Sequence, residues 1–486
     1  MAVDACPVSS LVSVLRERGA TSVLFDLDGR PVTVKDVFHQ AEGLARRLAE
    51  ESVQTLGLQA DNGLLWWVAA IAARAGGLTL VPVPSFFTPA QQQHVLRDAG
   101  VDALLTPAHA DQQGELMPGY RLERYRCRQQ PPEGCALVTY TSGTTGSPRG
   151  VCLEARQLDQ VAAALAEVVI ECGVQRHLQV LPLSVLLEQV AGEAVLRGGG
   201  TLVLSPLARL GWVGMAGIDT ERLADRLRAL AIHSAVIVPD MLAGLMAQQQ
   251  LAPLTDMRLL ALGGGHTPPA RVADAMALGL PVLEGYGLSE CASVVALNRP
   301  GQAVAGSVGH PLSHVEVRIR HGEVQVRGNS LLGYLHDDTP RAEWLATGDL
   351  GRLDDEGRLW IEGRRKHVIV TGLGRNVSPE WIEAELTAEP LIDQAMVYGD
   401  EQVGLRALLV SSATDDEIDG ALARVHARLP AYARLNGWVR HAPFTREGGE
   451  LTANGRLRRA LVLSRPAALT TAVPDALAPD MTSYGE

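Results

Sequence analysis

The sequence predicts an α/β protein with a large N-terminal domain of parallel α/β sheets plus a β-rich lobe, followed by a small mobile α+β C-terminal domain. Over the first two-thirds, apolar strand-like runs alternate with helical patterns, as in parallel α/β sheets. From about Val315 the pattern changes to alternating strands and hairpin turns. With 486 residues, the chain is also too long for one compact core.

The first element that the pattern defines clearly is a helix that begins after Thr33. The Thr33 side chain can cap this helix, because Asp36 stands three residues further on. The apolar residues of the helix fall on one face, which would lie against the core; they are Val37, Ala41, Leu44 and Leu48.

Four apolar runs then predict buried strands, and each run ends in a Gly, Pro or polar turn. These strands are Ala136–Tyr140, Ala235–Val238, Leu259–Leu262 and Val282–Glu284. Because ligand sites in parallel α/β sheets lie beyond the carboxyl ends of the strands, the turns that follow them are the predicted site.

The β-rich lobe and the C-terminal domain follow. Val315–Arg320 and Glu323–Arg327 predict a hairpin around His321–Gly322, and a second turn is predicted at Asp354–Gly357. The charged stretch Glu362–His367 precedes a final βα segment. We therefore predict a large N-terminal domain over 1–363, a hinge over 364–367, a small C-terminal domain over 368–465 and a flexible tail over 466–486.

Composition excludes several classes of protein. The net charge is −12 and the sequence contains no basic block, which argues against nucleic-acid binding. The apolar stretch Leu64–Ala73 is far shorter than the ~20 residues of a membrane span, and residues 1–20 lack the order of a signal peptide. The six cysteines show no CxxC pair, so we expect neither a zinc site nor a disulfide framework. The expected location is cytoplasmic.

A Gly- and hydroxyl-rich loop follows the strand Ala136–Tyr140. It runs from Thr141 to Gly150, and its glycines, hydroxyls and Arg149 could enclose a polyphosphate. The GxxxxGK[ST] spacing of a Walker A loop is absent. Taken alone, this composition is equally typical of a surface loop that is rich in Ser, Thr and Gly and binds no phosphate.

Two further motifs accompany this loop. One is Gly285-Tyr286-Gly287-Leu288-Ser289-Glu290, and the other is Thr347-Gly348-Asp349-Leu350. Together with the loop they resemble the superfamily of adenylate-forming enzymes, which includes acyl-CoA synthetases, aryl-acid ligases and peptide-synthetase adenylation domains. The resemblance extends over roughly residues 25 to 460. It implies that 1–363 is the adenylation domain, which binds ATP and the carboxylic acid, and that 368–465 is its C-terminal lid domain.

The resemblance implies a role for each matching position. The phosphate loop would hold the β- and γ-phosphates of ATP, with residues Thr141, Ser142, Gly143, Thr144, Thr145 and Gly146. The adenine would lie between Gly264, Gly265 and His266 on one side and Glu284, Tyr286 and Gly287 on the other, with Ser289 near the α-phosphate. Asp349 and Arg364 would contact the ribose. Glu290, with Thr144, would bind Mg²⁺, a hard ion that prefers oxygen ligands.

The segment from Gly363 to Glu383 resembles the long-chain acyl-CoA synthetase branch, and Leu181–Glu188 points to the same branch. In that branch the C-terminal domain turns about the position of Lys366, once for adenylation and once for thioester formation. Lys366 is one of only two lysines in the chain.

Two positions depart from the family pattern. Val185 stands where many relatives carry a His of the acid pocket, and Glu188 and Val238 are further candidates for that pocket. Glu188 and Glu193 could line this pocket, but we expect them on the solvated side of a helix. Arg456 stands at the position of the catalytic Lys, whose charge stabilises the transition state of adenylation. Arginine keeps the charge on a wider group.

The resemblance implies an ATP-dependent acid:thiol ligase that works through an acyl-AMP intermediate. Its cofactors would be ATP, Mg²⁺ and CoA or phosphopantetheine. Its partners would be a carboxylic acid and, where the thiol is that of phosphopantetheine, an acyl carrier protein. Two alternatives stay open at this point. The acceptor could be an amine, which would make the product an amide, or the chain could be a nucleotide-binding homologue that lost catalysis.

Overall fold

A computed structural model describes most of the chain. The described residues are 10–18, 22–26, 30–108, 115–117, 119–125, 129–141, 149–213, 217–337, 339–370, 376–400, 404–452 and 455–465. The chain divides into two compact units, Met1–Ile361 with Ala453–Gly455 and Glu362–Thr452 with Arg456–Glu486. The roles predicted for the two domains and for the hinge stay predictions, and the predicted tail lies outside the described residues.

The described part of the first unit contains nine α-helices. They are α1 Leu11–Glu17, α2 Val34–Glu50, α3 Leu64–Gly76, α4 Pro89–Asp98, α5 Ala155–Glu171, α6 Leu186–Arg197, α7 Thr220–Ala229, α8 Pro239–Leu251 and α9 Pro269–Ala277. In the second unit the described helices are α10 Pro379–Thr387, α11 Asp415–Arg428 and α12 Arg459–Leu463. Within these ranges, no helix is long and apolar enough to cross a membrane.

The strands of the first half are β1 Ser22–Asp26, β2 Pro31–Thr33, β3 Thr55–Leu58, β4 Thr79–Pro82, β5 Ala103–Pro107, β6 Glu115–Met117, β7 Tyr120–Arg124, β8 Cys135–Thr141, β9 Arg149–Glu154, β10 Arg176–Leu178, β11 Thr201–Leu204, β12 Trp212–Val213, β13 Gly217–Ile218 and β14 Ser234–Ile237. Those that follow are β15 Leu259–Leu262, β16 Val282–Tyr286, β17 Ala296–Leu297, β18 His310–Pro311, β19 Val315–Arg320, β20 Glu323–Gly328, β21 Gly333–Tyr334, β22 Leu345–Leu353, β23 Leu359–Arg364, β24 Ile369–Val370, β25 Asn376–Val377, β26 Gln394–Asp400, β27 Gly404–Val410 and β28 Gly437–Arg440.

Two large sheets carry the first unit. In the described residues, one has nine strands in the order β18-β17-β16-β15-β14-β10-β11-β1-β2, and the other has eight in the order β21-β9-β8-β4-β3-β5-β7-β6. Strands β14, β15 and β16 are parallel and in register, with Ser234 opposite Leu259 and Leu260 opposite Val282. Their carboxyl ends therefore lie side by side, which confirms the α/β fold class.

Local sequence explains the first long helix. Thr33 and Asp36 form a capping box at the start of α2, with the Asp36 backbone N–H donating to Thr33 Oγ1 at 3.2 Å. Such a cap stabilises a helix by about 1 kcal/mol. The predicted apolar residues of α2 are all buried, so the helix lies against the core on the predicted face.

Apolar side chains also explain α3, whose apolar stretch was too short for a membrane span. Trp66 and Trp67 on this helix are completely buried. The two rings meet edge to face at 6.2 Å between centroids, and Trp67 Nε1 donates to Gln179 Oε1 at 2.8 Å. This partner compensates the Trp67 N–H for the loss of water on burial. The helix is therefore an internal element of the first unit.

A four-stranded antiparallel sheet, β19-β20-β22-β23, forms the predicted β-rich lobe. Strands β19 and β20 pair from Val315–Gly328 to Arg320–Glu323, as a tight hairpin requires. His321 and Gly322 in its turn both have positive φ. The second unit has its own core around β26, β27 and α11, and this core includes Val397, Leu409 and Val425.

Candidate active site

The predicted phosphate loop is only partly described. Thr141 ends β8 and lies opposite Arg149, which begins β9. Antiparallel pairing of these two residues brings the ends of the loop together. Ser142, Gly143, Thr144, Thr145 and Gly146 lie outside the described residues, and so does the Thr141 side chain. Their phosphate-binding role stays a prediction.

Glu290 lies just beyond the carboxyl end of β16. The chain leaves β16 through Gly287 and enters a short 3₁₀ turn, Ser289–Cys291. A Cβ atom at Gly287 would come within 1.6 Å of the Ser293 carbonyl oxygen, so only glycine fits there. The turn ends in two residues with positive φ, Ala292 and Ser293. Such strain persists when surrounding contacts fix it, and it is common at functional sites.

The Glu290 carboxylate has one partner from a distant part of the sequence. Tyr334 Oη donates to Glu290 Oε1 at 3.0 Å. The other carboxylate oxygen accepts no hydrogen bond from the residues that the structure describes. Among all the residues that the structure describes, no group of three or more His, Cys, Asp and Glu side chains could hold a metal by itself. Glu290 fits Mg²⁺, since this ion takes one or two carboxylates together with water and substrate phosphates.

Two predicted residues from separate motifs meet directly. Tyr286, at the end of β16, donates through Oη to Asp349 Oδ2 at 2.6 Å. Asp349 is buried in β22, where its N–H donates to Thr347 Oγ1 at 3.1 Å. The preceding Gly348 has a φ of 75°, and its N–H donates to the buried Glu323 carboxylate at 2.9 Å. The bend at Gly348 thus presents Asp349 to the end of β16.

Glu284 lies in β16, two residues before Tyr286, and is buried. Burial raises the pKa of its carboxyl to about 7, although the N–H of Gly306 donates to Oε2 at 2.9 Å and opposes that shift. The Glu284 carbonyl also accepts the N–H of Asn298 at 3.0 Å. This side chain therefore supports the loop at Gly306, and its predicted place beside adenine stays a prediction.

The glycine turn after β15 adjoins one of the predicted acid-pocket residues. Gly264 has a φ of 84°, which favours glycine, and a Cβ atom there would lie 3.4 Å from Val238 Cγ1. Val238 precedes α8, and His266 is exposed at the end of the turn. The predicted adenine-binding and acid-binding residues are thus neighbours at the ends of β14 and β15.

The expectation that Glu188 and Glu193 face solvent is wrong. Both lie on α6 and have relative exposures of 0% and 1%. Glu193 accepts two hydrogen bonds from Arg74, at 2.8 and 3.0 Å. Glu188 Oε1 lies 3.6 Å from His177 Nε2, and burial raises the pKa of this glutamate. Helix α6 is buried on both sides, and partners on other elements compensate the two carboxylates for the loss of water.

The third predicted acid-pocket residue is Val185. It is the half-buried residue that precedes α6, and its N–H donates to the Pro182 carbonyl at 2.8 Å. Nothing in these contacts assigns an acid to the pocket.

The remaining predicted residues belong to the second unit. Arg364 ends β23, and Lys366 is exposed in the 3₁₀ turn Arg365–His367. Arg456 is exposed in a narrow loop, in which its N–H donates to Thr452 Oγ1 at 3.0 Å and its carbonyl accepts the Thr452 N–H at 2.8 Å. Gly455 has a φ of 76° at this bend. The loop therefore presents the Arg456 side chain to solvent.

Sequence reasoning missed a buried ionic cluster in the second unit. Arg459 Nη1 donates to Glu383 Oε1 at 2.7 Å, and Arg459 also lies 3.6 Å from Glu380 Oε1. His367 Nδ1 shares a hydrogen bond of 2.5 Å with Glu380 Oε1. Burial disfavours the Glu380 carboxylate, but the bond to His367 and the Arg459 charge lower its pKa to about 2. The cluster joins the turn that contains Lys366 to the helix after Arg456. No linear spacing indicates it.

The chain is similar to known proteins in family, sequence and structure. The model of the AMP-binding enzyme family matches residues 13–336. The 2-succinylbenzoate–CoA ligase of Bacillus pumilus is 29% identical over 403 residues, which is 76% of this chain and 80% of that protein. The indoleacetate–CoA ligase of Aromatoleum aromaticum is 30% identical over 346 residues, 64% of this chain and 65% of the relative.

Among solved structures, one similar fold is the O-succinylbenzoate coenzyme A synthetase of Bacillus subtilis in complex with ATP and a magnesium ion. It superposes with a TM-score of 0.76 at 23% identity and covers 93% of this chain and 98% of its own. At this identity the likeness shows the fold, which agrees with the predicted fold class.

Proposed function

The chain belongs to the AMP-binding enzyme family, and we propose that it is a Mg²⁺- and ATP-dependent ligase that joins a carboxylic acid to the thiol of CoA. The family model matches residues 13–336, which include the phosphate loop and Glu290. The curated relatives are CoA ligases. Their names support the prediction of an adenylate-forming acid:thiol ligase, whose cofactors would be ATP, Mg²⁺ and CoA.

The observation that carries this proposal is the meeting of Tyr286 with Asp349. These residues come from two separate motifs, and their hydrogen bond of 2.6 Å places the Asp349 carboxylate at the end of β16, where Glu290 also lies. A carboxylate has two acceptor oxygens, which suit the two hydroxyls of a ribose. We therefore assign the ribose to Asp349, and the adenine to the glycine turn at Gly264–Gly265 together with Tyr286.

The reaction has two steps. In the first, a carboxylate oxygen of the acid bonds to the α-phosphorus of ATP, the bond to the bridging oxygen breaks, and pyrophosphate leaves. Glu290 would hold Mg²⁺, which neutralises phosphate charge when bound. Arg456 would supply a positive charge to the α-phosphate, where negative charge builds up.

In the second step the thiol sulfur bonds to the acyl carbon, the bond from that carbon to the phosphate oxygen breaks, and AMP leaves. The thiol gives its proton to solvent. Between the two steps the C-terminal domain would rotate about Lys366, as the resemblance implies. A carrier-protein phosphopantetheine is the alternative thiol in this proposal.

The first acid to test carries an aromatic ring. The two curated relatives are named for 2-succinylbenzoate and indoleacetate, which are both aryl acids. The acid would enter beside Val238 and Val185, and Val185 stands where many relatives have a His. The predicted relation to the long-chain branch would instead favour fatty acids.

The experiment is acid-dependent exchange of labelled pyrophosphate into ATP, followed by detection of the acyl product. The panel contains 2-succinylbenzoate, indoleacetate, octanoate and palmitate, each with CoA, with a phosphopantetheinylated carrier protein, or with an amine. We expect exchange with an aryl acid and a CoA thioester as product. Exchange with palmitate alone would support the long-chain branch, and an amide product would overturn the thiol acceptor. No exchange with any acid would contradict the proposed ligase activity.

The proposal includes a cytoplasmic location. The cysteines that the structure describes are Cys135, Cys152, Cys172 and Cys291, and all four are free thiols. Free thiols fit a reducing compartment. Fractionation of cells that express the tagged chain tests this location, and recovery in a membrane or secreted fraction would contradict it.

A further inference from the structure

We propose that Tyr334 is a positioning residue for the Glu290 carboxylate and thereby sets the affinity of the enzyme for Mg·ATP. The inference rests on the proposed role of Glu290 as a metal ligand. Tyr334 lies outside every motif from which the site was predicted, and its residue number differs from that of Glu290 by 44.

The backbone fixes where Tyr334 lies. Strand β21, of which it is the second residue, pairs antiparallel with β9, so that Tyr334 lies opposite Val151. Two hydrogen bonds flank the pair, from Leu332 N–H to the Cys152 carbonyl and from Leu335 N–H to the Gly150 carbonyl, both 2.9 Å long. Strand β9 begins at Arg149, the first residue after the undescribed part of the phosphate loop. Tyr334 is therefore tied to the base of that loop.

The same segment also contacts the turn that carries Glu290. The N–H of Leu331 donates to the Glu290 carbonyl at 2.5 Å. The backbone of Glu290 is thus fixed to the segment that leads into β21. Only the side-chain torsions of Glu290 are left to set the direction of its carboxylate.

The Tyr334 hydroxyl restricts those torsions, because it donates to Glu290 Oε1 at 3.0 Å. A glutamate at a half-buried position otherwise samples several rotamers, and ordering them on metal binding costs free energy. Hydrogen bonds to a ligating carboxylate fix its direction before the metal arrives, and their loss reduces metal affinity about 10- to 100-fold.

Arg149 in turn fixes the Tyr334 ring. Its guanidinium carbon lies 3.9 Å from the ring centroid, and Nη2 lies 3.2 Å from Asp337 Oδ2. The ion pair is partly exposed and contributes little by itself. Stacking on the ring, however, limits rotation of the tyrosine. One continuous set of contacts thus joins the base of the phosphate loop to the proposed metal ligand.

The test measures binding, without the acid, so that no turnover is needed. Isothermal titration calorimetry gives the Kd for ATP in excess Mg²⁺ and in EDTA for wild type and Tyr334→Phe. This substitution keeps the ring and removes only the donor. We expect the Kd in Mg²⁺ to rise about tenfold and the Kd in EDTA to stay within about twofold of wild type.

The matched control is Tyr125→Phe. Tyr125 directly follows β7, near the other end of the same eight-stranded sheet, and its hydroxyl donates to Glu123 Oε2 at 3.1 Å. It therefore loses the same kind of hydrogen bond far from Glu290, and we expect both dissociation constants to match wild type. If the two substitutions weakened ATP binding in Mg²⁺ equally, Tyr334 would have only a structural role, and the proposal would be overturned.

Glu290→Gln separates this inference from the role on which it rests. If Tyr334 acts through Glu290, Tyr334→Phe adds no further loss of Mg²⁺ dependence in the Glu290→Gln background. Additive losses would overturn the inference. A Tyr334→Phe variant that binds Mg·ATP as well as wild type, or better, would overturn it while the role of Glu290 stands. If Glu290→Gln itself keeps the wild-type Mg²⁺ dependence, both the metal ligand and the inference are wrong.

Discussion

Tyr286 Oη donates a hydrogen bond of 2.6 Å to Oδ2 of the buried Asp349. The bond joins the strand that leads to Glu290 with the four-stranded sheet. A carboxylate fixed in this way is already oriented before nucleotide binds, so its effect on ATP affinity can be tested by removing either residue.

Asp349→Ala should raise the KM for ATP about ten- to a hundredfold and that for the acid much less. A hydrogen bond to a charged group contributes roughly 1.5–3 kcal/mol, and the ribose loses such a bond. Tyr286→Phe should raise the KM for ATP only a few-fold, because the carboxylate remains and loses only its orienting donor. Steady-state kinetics with each substrate varied in turn checks this, and equal loss for both substrates would indicate misfolding instead.

Arg456→Ala should lower acid-dependent pyrophosphate exchange about 10²-fold, since one preorganised positive charge is lost. Thioester formation from supplied acyl-AMP should fall much less. The matched control is Arg458→Ala, which removes the same charge two residues away. If the control loses as much exchange as Arg456→Ala, the effect comes from the overall charge of the loop.

Arg456→Lys asks a separate question about the departure from the family pattern. A faster exchange would mean that arginine is a poor substitute for the usual lysine. A slower exchange would mean that the site has adapted to the wider guanidinium, with its several donors. An unchanged rate would show that only the charge matters. Pyrophosphate exchange at saturating ATP and acid distinguishes the three results.

Lys366→Pro should spare acyl-AMP formation relative to thioester formation. Proline fixes φ near −65° and restricts the residue before it, so a turn about this position becomes difficult. Acyl-AMP should then accumulate in single-turnover experiments with CoA present. Lys366→Ala is the control, because it removes the side chain and leaves the backbone free. Parallel decline of both half-reactions in the proline variant would contradict a hinge at Lys366.

Glu284→Gln should stabilise the ligand-free protein at high pH and change little at low pH. Burial raises the folded-state pKa of Glu284 to about 7, above the usual 4.5. The folded protein therefore binds more protons than the unfolded chain between these values, and stability is lost as the pH rises from about 4.5 to 7. At ~1.4 kcal/mol per pKa unit, the loss amounts to about 3 kcal/mol.

The measurement is the thermal midpoint of wild type and Glu284→Gln at pH 4.5 and pH 8. Glutamine can still accept the Gly306 N–H, so the comparison isolates the charge. We expect the variant to gain several degrees over wild type at pH 8 alone. An equal difference at both pH values would mean that the substitution changes packing rather than ionisation.

The sequence by itself determined the elements whose pattern is local. Leu259–Leu262 and Val315–Arg320 are strands with the predicted bounds, and Thr33 begins a helix through its capping box with Asp36. Hydrophobic period, turn residues and caps act over a few residues, so the amino-acid sequence contains them completely. The motifs that resemble the adenylate-forming enzymes are likewise linear, and the family model confirms the resemblance.

Only the tertiary structure decided which polar groups are buried and with what partner. Glu188 and Glu193 looked like the solvated face of a helix, yet His177 and Arg74 approach them from other elements. The contact of Tyr334 with Glu290 likewise depends on β21 pairing with β9. A carboxylate can be buried wherever a donor reaches it, and residue spacing along the chain does not contain that information, because strand order and helix packing set it.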